Sequence, residues 1–301
     1  MSGEFRKKLE SGEIIVFDGA MGTELAARGI EPGTVANIAA PATVAAVHRA
    51  YREAGAEVII TNTFGVNRQV LGRRGDSDRM PEHLLAESCG IACDLARKSV
   101  GGVGFVAGDI GPMGVLLEPY GTMQKDVMRS IFSVTARFLA QGSVDLFLVE
   151  TMSDTGEMTL AVQACREAAR KANRDIPVAA SMAFDPSKQG GFRTNMGVSP
   201  SAAAEAMVAA GADIIGANCG SVTPEQMAEI VREFRSVTKQ HPILAQPNAG
   251  VPELQAGQTV FRLAPEAFAA GMLKVRAAGA QLLGGCCGTT PEHIRCLRQA
   301  L

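Results

Sequence analysis

The chain has 301 residues, 47% of them hydrophobic, enough to bury one large core, and a single domain over 1–301 follows if that core is an α/β barrel. Its 29 basic and 31 acidic residues leave a formal charge of -2 without long runs of either sign, so composition gives no nucleic-acid or membrane partner and suggests a small ligand. The polar start MSGEFRKKLESGE leads into an apolar run too short for a signal peptide, no stretch reaches the ~18 apolar residues of a membrane span, and seven cysteines in so long a chain read as free thiols; the expected location is cytoplasmic.

Eight short apolar runs succeed one another along the chain, each followed by an alanine-rich amphipathic stretch of helical length. In order they are IIVF from Ile14, EVII from Glu57, VGFVAG from Val103, DLFLV from Asp145, PVAASM from Pro177, DIIGAN from Asp213, PILAQ from Pro242 and AQLLGG from Ala280. Their starts lie about 38 residues apart, the length of a βα unit, and eight such units predict an α/β fold of the closed (β/α)8 TIM-barrel type; an open doubly wound sheet is the structural rival. Glycine-bearing turns at 54–57, 141–145, 210–213 and 278–281 mark helix ends where glycine can turn left-handed, and Thr223-Pro224 and Thr290-Pro291 mark helix starts.

In a parallel barrel the reacting groups stand at the carboxyl ends of the strands. Strand six ends in Cys219, strand eight in Cys286 and Cys287, and only strand seven lies between them. Three thiolates with one open position make a catalytic zinc arrangement, and the glycines flanking Cys286-Cys287 let adjacent sulfurs reach one metal. Buried packing and a vicinal disulfide are the alternatives for these thiols. Cys89, Cys93, Cys165 and Cys296 fall in outer helices and read as packing residues. His48, His83, His241 and His293 fall in helices or at helix ends, so no histidine ligand is assigned.

Asp18, Asp109 and Glu150 end apolar strands on the same rim and are candidate acceptors for a substrate ammonium group, with Thr61 beside them. The Gly19-Ala20 turn offers backbone N–H groups to a carboxylate. Asp145 and Asp213 start strands, on the opposite face, and read as caps or surface charges. Asn248, after strand seven, is an oxygen ligand that can complete the metal site until a thiol replaces it.

The motifs DGAMGTEL at 18–25, AGAEVIITNTFG at 54–65, GDIGP at 108–112, ET at 150–151, NCG at 218–220 and GGCCGTTPEHI at 284–294 span nearly the whole chain. Together they resemble the homocysteine-binding domain of the homocysteine S-methyltransferase family, shared by cobalamin-dependent methionine synthase and the betaine and S-methylmethionine enzymes, and are most similar to the first. The resemblance implies that Cys219, Cys286 and Cys287 hold zinc, that the homocysteine sulfur becomes its fourth ligand, that Asp18 and Glu150 face the amino group, and that the Gly19-Ala20 turn receives the carboxylate. It implies an attack by the activated thiolate on S-methylmethionine or on methylcobalamin carried by a separate corrinoid protein. The betaine enzymes have a tyrosine where this chain has Thr151, which argues against that donor. The chain stops after the barrel, without the folate-binding, cobalamin-binding and reactivation modules of full-length methionine synthase, and a separate corrinoid protein, S-methylmethionine and a folate module on another chain are all compatible donors.

A non-catalytic zinc-binding or corrinoid-docking barrel, or a methyltransferase for another thiol, is the alternative to this function. A Schiff-base lyase is the weaker rival, because Lys188 is the only lysine near a strand end.

Overall fold

The structure is a computed structural model that describes residues 2–74, 82–255 and 257–301. Its centre is a ring of eight parallel strands: β1 (Ile15–Val16), β2 (Val58–Ile60), β3 (Phe105–Ile110), β4 (Leu146–Met152), β5 (Val178–Met182), β6 (Ile214–Asn218), β7 (Ile243–Gln246) and β8 (Leu282–Leu283). Each strand pairs with its sequence neighbours, and β1 pairs with β8 through Ile15–Leu282 and Val16–Leu283. A parallel bridge between Phe17 and Val58 joins β1 to β2, with Asp18 N–H donating to the Val58 carbonyl at 3.0 Å and Glu57 N–H to that of Val16 at 2.7 Å. The sheet therefore closes, as the strand count predicts, and the open-sheet rival is excluded.

Alternation along the strands decides what reaches the middle. Ile15, Phe17, Val58, Ala107, Leu146, Leu148, Ala179, Ile214, Leu244 and Leu282 form one buried cluster inside the ring. Their neighbours Val16, Ile59, Val106, Phe147, Val149, Val178, Ile215, Ile243 and Leu283 belong to a second cluster, packed against the helices. Phe5 and Leu9, from the helix Ser2–Glu10, plug the amino-terminal end of the ring, with the Phe5 and Phe105 rings 5.1 Å apart edge to face. Continuing the inside parity toward the other end gives Ile60, Asp109, Glu150, Ser181, Asn218 and Gln246. Apart from Ile60, this top layer is polar where the layers beneath are apolar.

Eight helices, one after each strand, form the outer layer: Pro41–Glu53, Glu82–Val100, Lys125–Gln141, Thr155–Lys171, Pro200–Ala209, Pro224–Val237, Pro265–Ala277 and Pro291–Ala300. Thr223 caps its helix and forms a reciprocal capping box with Gln226. At Thr290 the backbone N–H donates to His293 Nδ1 at 3.1 Å, which leaves His293 Nε2 to donate to the Leu263 carbonyl at 2.9 Å. Gly55, Gly211 and Gly279 are left-handed, as expected. In the 141–145 turn the left-handed residue is instead Ser143, at φ 60. Gly142 is needed for space, since a Cβ there would lie 2.5 Å from the Cys93 sulfur.

At the amino-terminal end, strand-start carboxylates tie neighbouring strands together. Glu57 accepts from Val16 N–H at 3.1 Å, Asp145 from Val106 N–H at 2.9 Å and Asp213 from Val178 N–H at 2.8 Å. Asp145 is fully buried and paired with Arg97, so it pins the strands and is not a surface charge. No helix among the described residues is long and apolar enough to cross a membrane.

Candidate metal centre and substrate cavity

Cys219 follows β6 directly and takes a left-handed conformation, φ 57, as does Gly220. This double turn swings the Cys219 sulfur toward β8, while its N–H still donates to the Gln246 carbonyl at 3.1 Å. Only glycine fits at 220, where a Cβ would sit 2.0 Å from the Phe184 carbonyl oxygen. Cys286 and Cys287 are held by the loop after β7: Cys286 N–H donates to the Pro247 carbonyl and Ala249 N–H to that of Cys287, each at 2.9 Å. Thr289 Oγ1 donates to the Cys286 carbonyl at 2.7 Å.

The three sulfurs lie within 4.8 Å of one another. Zn–S bonds of about 2.3 Å in tetrahedral geometry put sulfurs roughly 3.8 Å apart, so a small contraction suffices to surround an ion. Hydrogen bonds from Cys286 and Cys287 pull the Cys219 thiol down to about 3. The same bonds push Cys287 up to about 12 and Cys286 well above the usual thiol range. One negative charge is thus shared by three sulfurs and two protons remain, which a soft divalent cation would displace. Asn248 adds an oxygen to this donor set. Its Nδ2 donates to the Gly220 carbonyl at 2.7 Å, its side chain hydrogen-bonds the Cys219 sulfur, and its Oδ1 is buried without a partner. Donor chemistry and spacing both fit zinc. Cys89, Cys93 and Cys165 are instead buried in the helix layer, and the sulfur of Cys296 faces Glu292 on the last helix.

A cavity of about 390 Å³ opens over the thiols, lined by Cys219, Cys286 and Cys287 and by Asp109 and Glu150. Asp109 and Glu150 hydrogen-bond each other. Burial, then the Glu150 charge, hold the Asp109 carboxyl well above its ordinary range, so it keeps the proton and donates. Burial and the Cys219 charge raise Glu150 to about 7, against that hydrogen bond. Thr61 also lines the cavity and accepts from Asp109 N–H at 3.1 Å. Asp18 does not line it. Its Oδ2 accepts from Ile60 N–H at 3.0 Å, near enough to the pair that, beyond burial, the Glu150 charge raises Asp18 and the Asp18 charge raises Asp109. Its Oδ1 is buried without a partner, and burial lifts its carboxyl well above the usual range.

Gly19 and Ala20 line the cavity where β1 turns into the helix Met21–Ala27. A Cβ at Gly19 would meet Thr289 Oγ1 at 2.5 Å and the Tyr51 ring at 2.9 Å. Ala20 N–H is already given to Thr289 Oγ1 at 3.1 Å. The first turn of the helix has no side-chain cap, and Met21, Gly22 and Thr23 line the cavity beside it. Tyr51 Oη completes a latch, donating toward the carbonyls of Ala20 at 3.0 Å and Thr289 at 2.9 Å. Lys188 is exposed beyond β5 and does not line the cavity, which removes the Schiff-base reading.

Tyr51, Thr289 and Asn218 are site residues that sequence reasoning did not assign. Asn218 carried a signal, as the strand-six terminus beside Cys219 with inside parity. Thr289 lies within the GGCCGTTPEHI motif, which assigned it no role, and Tyr51 lies in none of the motifs.

Residues 15–301 match the sequence model of a family described as homocysteine S-methyltransferase. The chain is 35% identical over 297 residues to a methionine synthase of Mycobacterium tuberculosis, an alignment covering 95% of this chain and 24% of that protein. It therefore spans about a quarter of that relative's length. It is 29% identical over 325 residues to S-methylmethionine–homocysteine S-methyltransferase BHMT2 of Rattus norvegicus, covering 98% of this chain and 80% of the relative. The metallated homocysteine methyltransferase MmuM from Escherichia coli superposes with a TM-score of 0.77 at 22% identity over 99% of both chains, which shows a common fold.

Proposed function

The chain belongs to the homocysteine S-methyltransferase family, and on that premise we propose that it methylates the thiol of homocysteine to give methionine, with zinc held by Cys219, Cys286 and Cys287. The observation that carries this reading is the placement of three convergent sulfurs and a hydrogen-bonded pair of carboxyls around one cavity. When bound, zinc supplies the positive charge that keeps a substrate thiol deprotonated near neutral pH. Residues 1–301 act as one homocysteine-binding unit.

Glu150 takes the substrate ammonium, with Asp109 as its partner. Two hydrogen-bonded carboxyls and nearby Asp18 cannot all ionise in so small a volume, because like charges there oppose one another. An arriving ammonium reverses that balance and favours release of the proton that Asp109 donates to Glu150. The pair is thereby selective for a cation at one end of the ligand, while the sulfur end is directed to the cysteine wall. The substrate carboxylate then lies toward Gly19, Ala20 and the uncapped first turn at Met21–Thr23, with Thr61 on the adjoining strand. Asn248 Oδ1, or water, would complete the donor set for zinc beside the three thiolates when no substrate thiol is present.

The methyl donor is a methylcobalamin-carrying partner protein or S-methylmethionine. Thr151 lines the cavity where the betaine enzymes have tyrosine, which speaks against betaine. Exposed apolar side chains on the loops after β2, β3 and β7, namely Phe64, Leu116, Tyr120, Val251 and Leu254, favour a donor delivered on another protein's surface. Assaying methionine formation by the zinc-loaded protein against methylcobalamin, S-methylmethionine and betaine in parallel tests this. Turnover is expected with one of the first two. Failure with every donor, together with no homocysteine binding, would refute the proposal.

A further inference from the structure

Asn218 ends β6 on the inside of the barrel, fully buried. Its Oδ1 accepts from Thr151 N–H at 2.9 Å and from Ser181 Oγ at 2.6 Å. A backbone N–H can only donate, so this contact fixes the amide: oxygen toward Thr151 N–H, nitrogen the other way. Nδ2 then meets Glu150 Oε2 at 2.9 Å and Thr151 Oγ1 at 2.7 Å, with Cys286 Sγ at 3.9 Å. The Glu150 oxygen facing it must therefore be an acceptor, which directs the other Glu150 oxygen toward Asp109 and the cavity.

The same amide holds a costly piece of backbone. Thr151 is β-branched yet left-handed, φ 59, at an irregularity in the β4–β5 register between Val149 and Met152. Both its N–H and its hydroxyl are bonded to Asn218. Removing the amide frees the turn that carries Glu150 along with the carboxylate itself.

We propose that Asn218 is a positioning residue for methyl transfer: one amide sets Glu150 relative to the sulfur wall and so fixes the span between the ammonium and thiol ends of the substrate. The inference rests on the reading of Glu150 as the ammonium acceptor. It predicts a loss confined to ligands that carry an ammonium group, whereas a merely structural role would weaken every thiol alike.

The test compares homocysteine with 4-mercaptobutanoate, the same chain without its amino group, by calorimetry on zinc-loaded protein. Asn218→Ser leaves a polar side chain too short to reach Glu150. It is expected to raise the Kd for homocysteine about 10- to 100-fold, the scale of a hydrogen bond to a charged group, and that for 4-mercaptobutanoate less than about 3-fold. Ser181→Ala removes one donor to Oδ1 with little loss of volume and should shift the two ligands in the same unequal way by a smaller factor; it carries the test if Asn218→Ser does not hold zinc. Equal losses for both thiols, or unchanged homocysteine affinity, would overturn the inference while leaving the proposed function standing. Wild-type protein that binds neither thiol would overturn both.

Discussion

Glu150→Gln separates the charge of the ammonium acceptor from its shape. Glu150 Oε2 accepts from Asn218 Nδ2 at 2.9 Å, and a glutamine oxygen can take over that bond. The glutamine nitrogen then faces Asp109, which no longer donates to a carboxylate and is freed from the Glu150 charge that raised it. The barrel and the cysteine wall should persist, because no sulfur bonds to Glu150. A charged acceptor for the ammonium is lost, costing about 1.5–3 kcal/mol, or roughly 10- to 150-fold in Kd. The lower end is expected, since Asp109 ionises more readily in the variant and can receive the ammonium in part. Adding Asp109→Asn should remove that compensation. Calorimetric titration of the zinc-loaded variant with homocysteine, with metal content measured in the same sample, provides the assay. Full zinc occupancy with unchanged homocysteine affinity would refute the assignment of Glu150.

Cys286→Ala should abolish tight zinc binding while the helical circular dichroism persists, because the cluster sits at the rim; full zinc occupancy in that variant would rule out the three-thiolate site. Thr289→Val removes the hydroxyl that serves both Ala20 N–H and the Cys286 carbonyl, and should cost about 1–3 kcal/mol of stability by thermal or urea unfolding; an unchanged midpoint would show that the latch is idle. His48 is fully buried with neither ring nitrogen partnered, and burial lowers it to about 3. The unfolded chain therefore binds one more proton than the folded one between about pH 3 and 6.5, so this group's contribution to stability is complete above pH 6.5 and falls by up to ~1.4 kcal/mol per unit as pH drops. His48→Leu should show a shallower fall of Tm with acid than wild type; parallel curves would disprove this role.

Strand period alone locates all eight strands here, and strand-end position locates the cysteines, Asp109 and Glu150. Counting parity from the aliphatic interior, through Leu146 and Leu148 to Glu150 or through Ile214 to Asn218, shows why: a closed ring turns alternate residues inward on every strand. Asp18, following the inward Phe17 at the end of β1, is tied by Ile60 N–H and stays within electrostatic reach of Asp109 and Glu150. Other features depend on contacts that no local pattern encodes. Tyr51 reaches Thr289 across 238 residues. The role of Asn218 needs the left-handed Thr151 on another strand, and neither its motif nor a β-branched residue signals that turn. Gly142 illustrates a subtler limit, since a glycine placed for close packing looks in sequence like one placed for a left-handed turn.

The central claim is that the cysteine wall holds zinc and that the substrate sulfur joins it. Zinc-edge X-ray absorption, recorded before and after saturating homocysteine, tests this directly. Three sulfurs and one light atom, from Asn248 Oδ1 or water, should become four sulfurs. A count that stays at three with homocysteine bound would mean that the thiol never reaches the metal and would contradict the account.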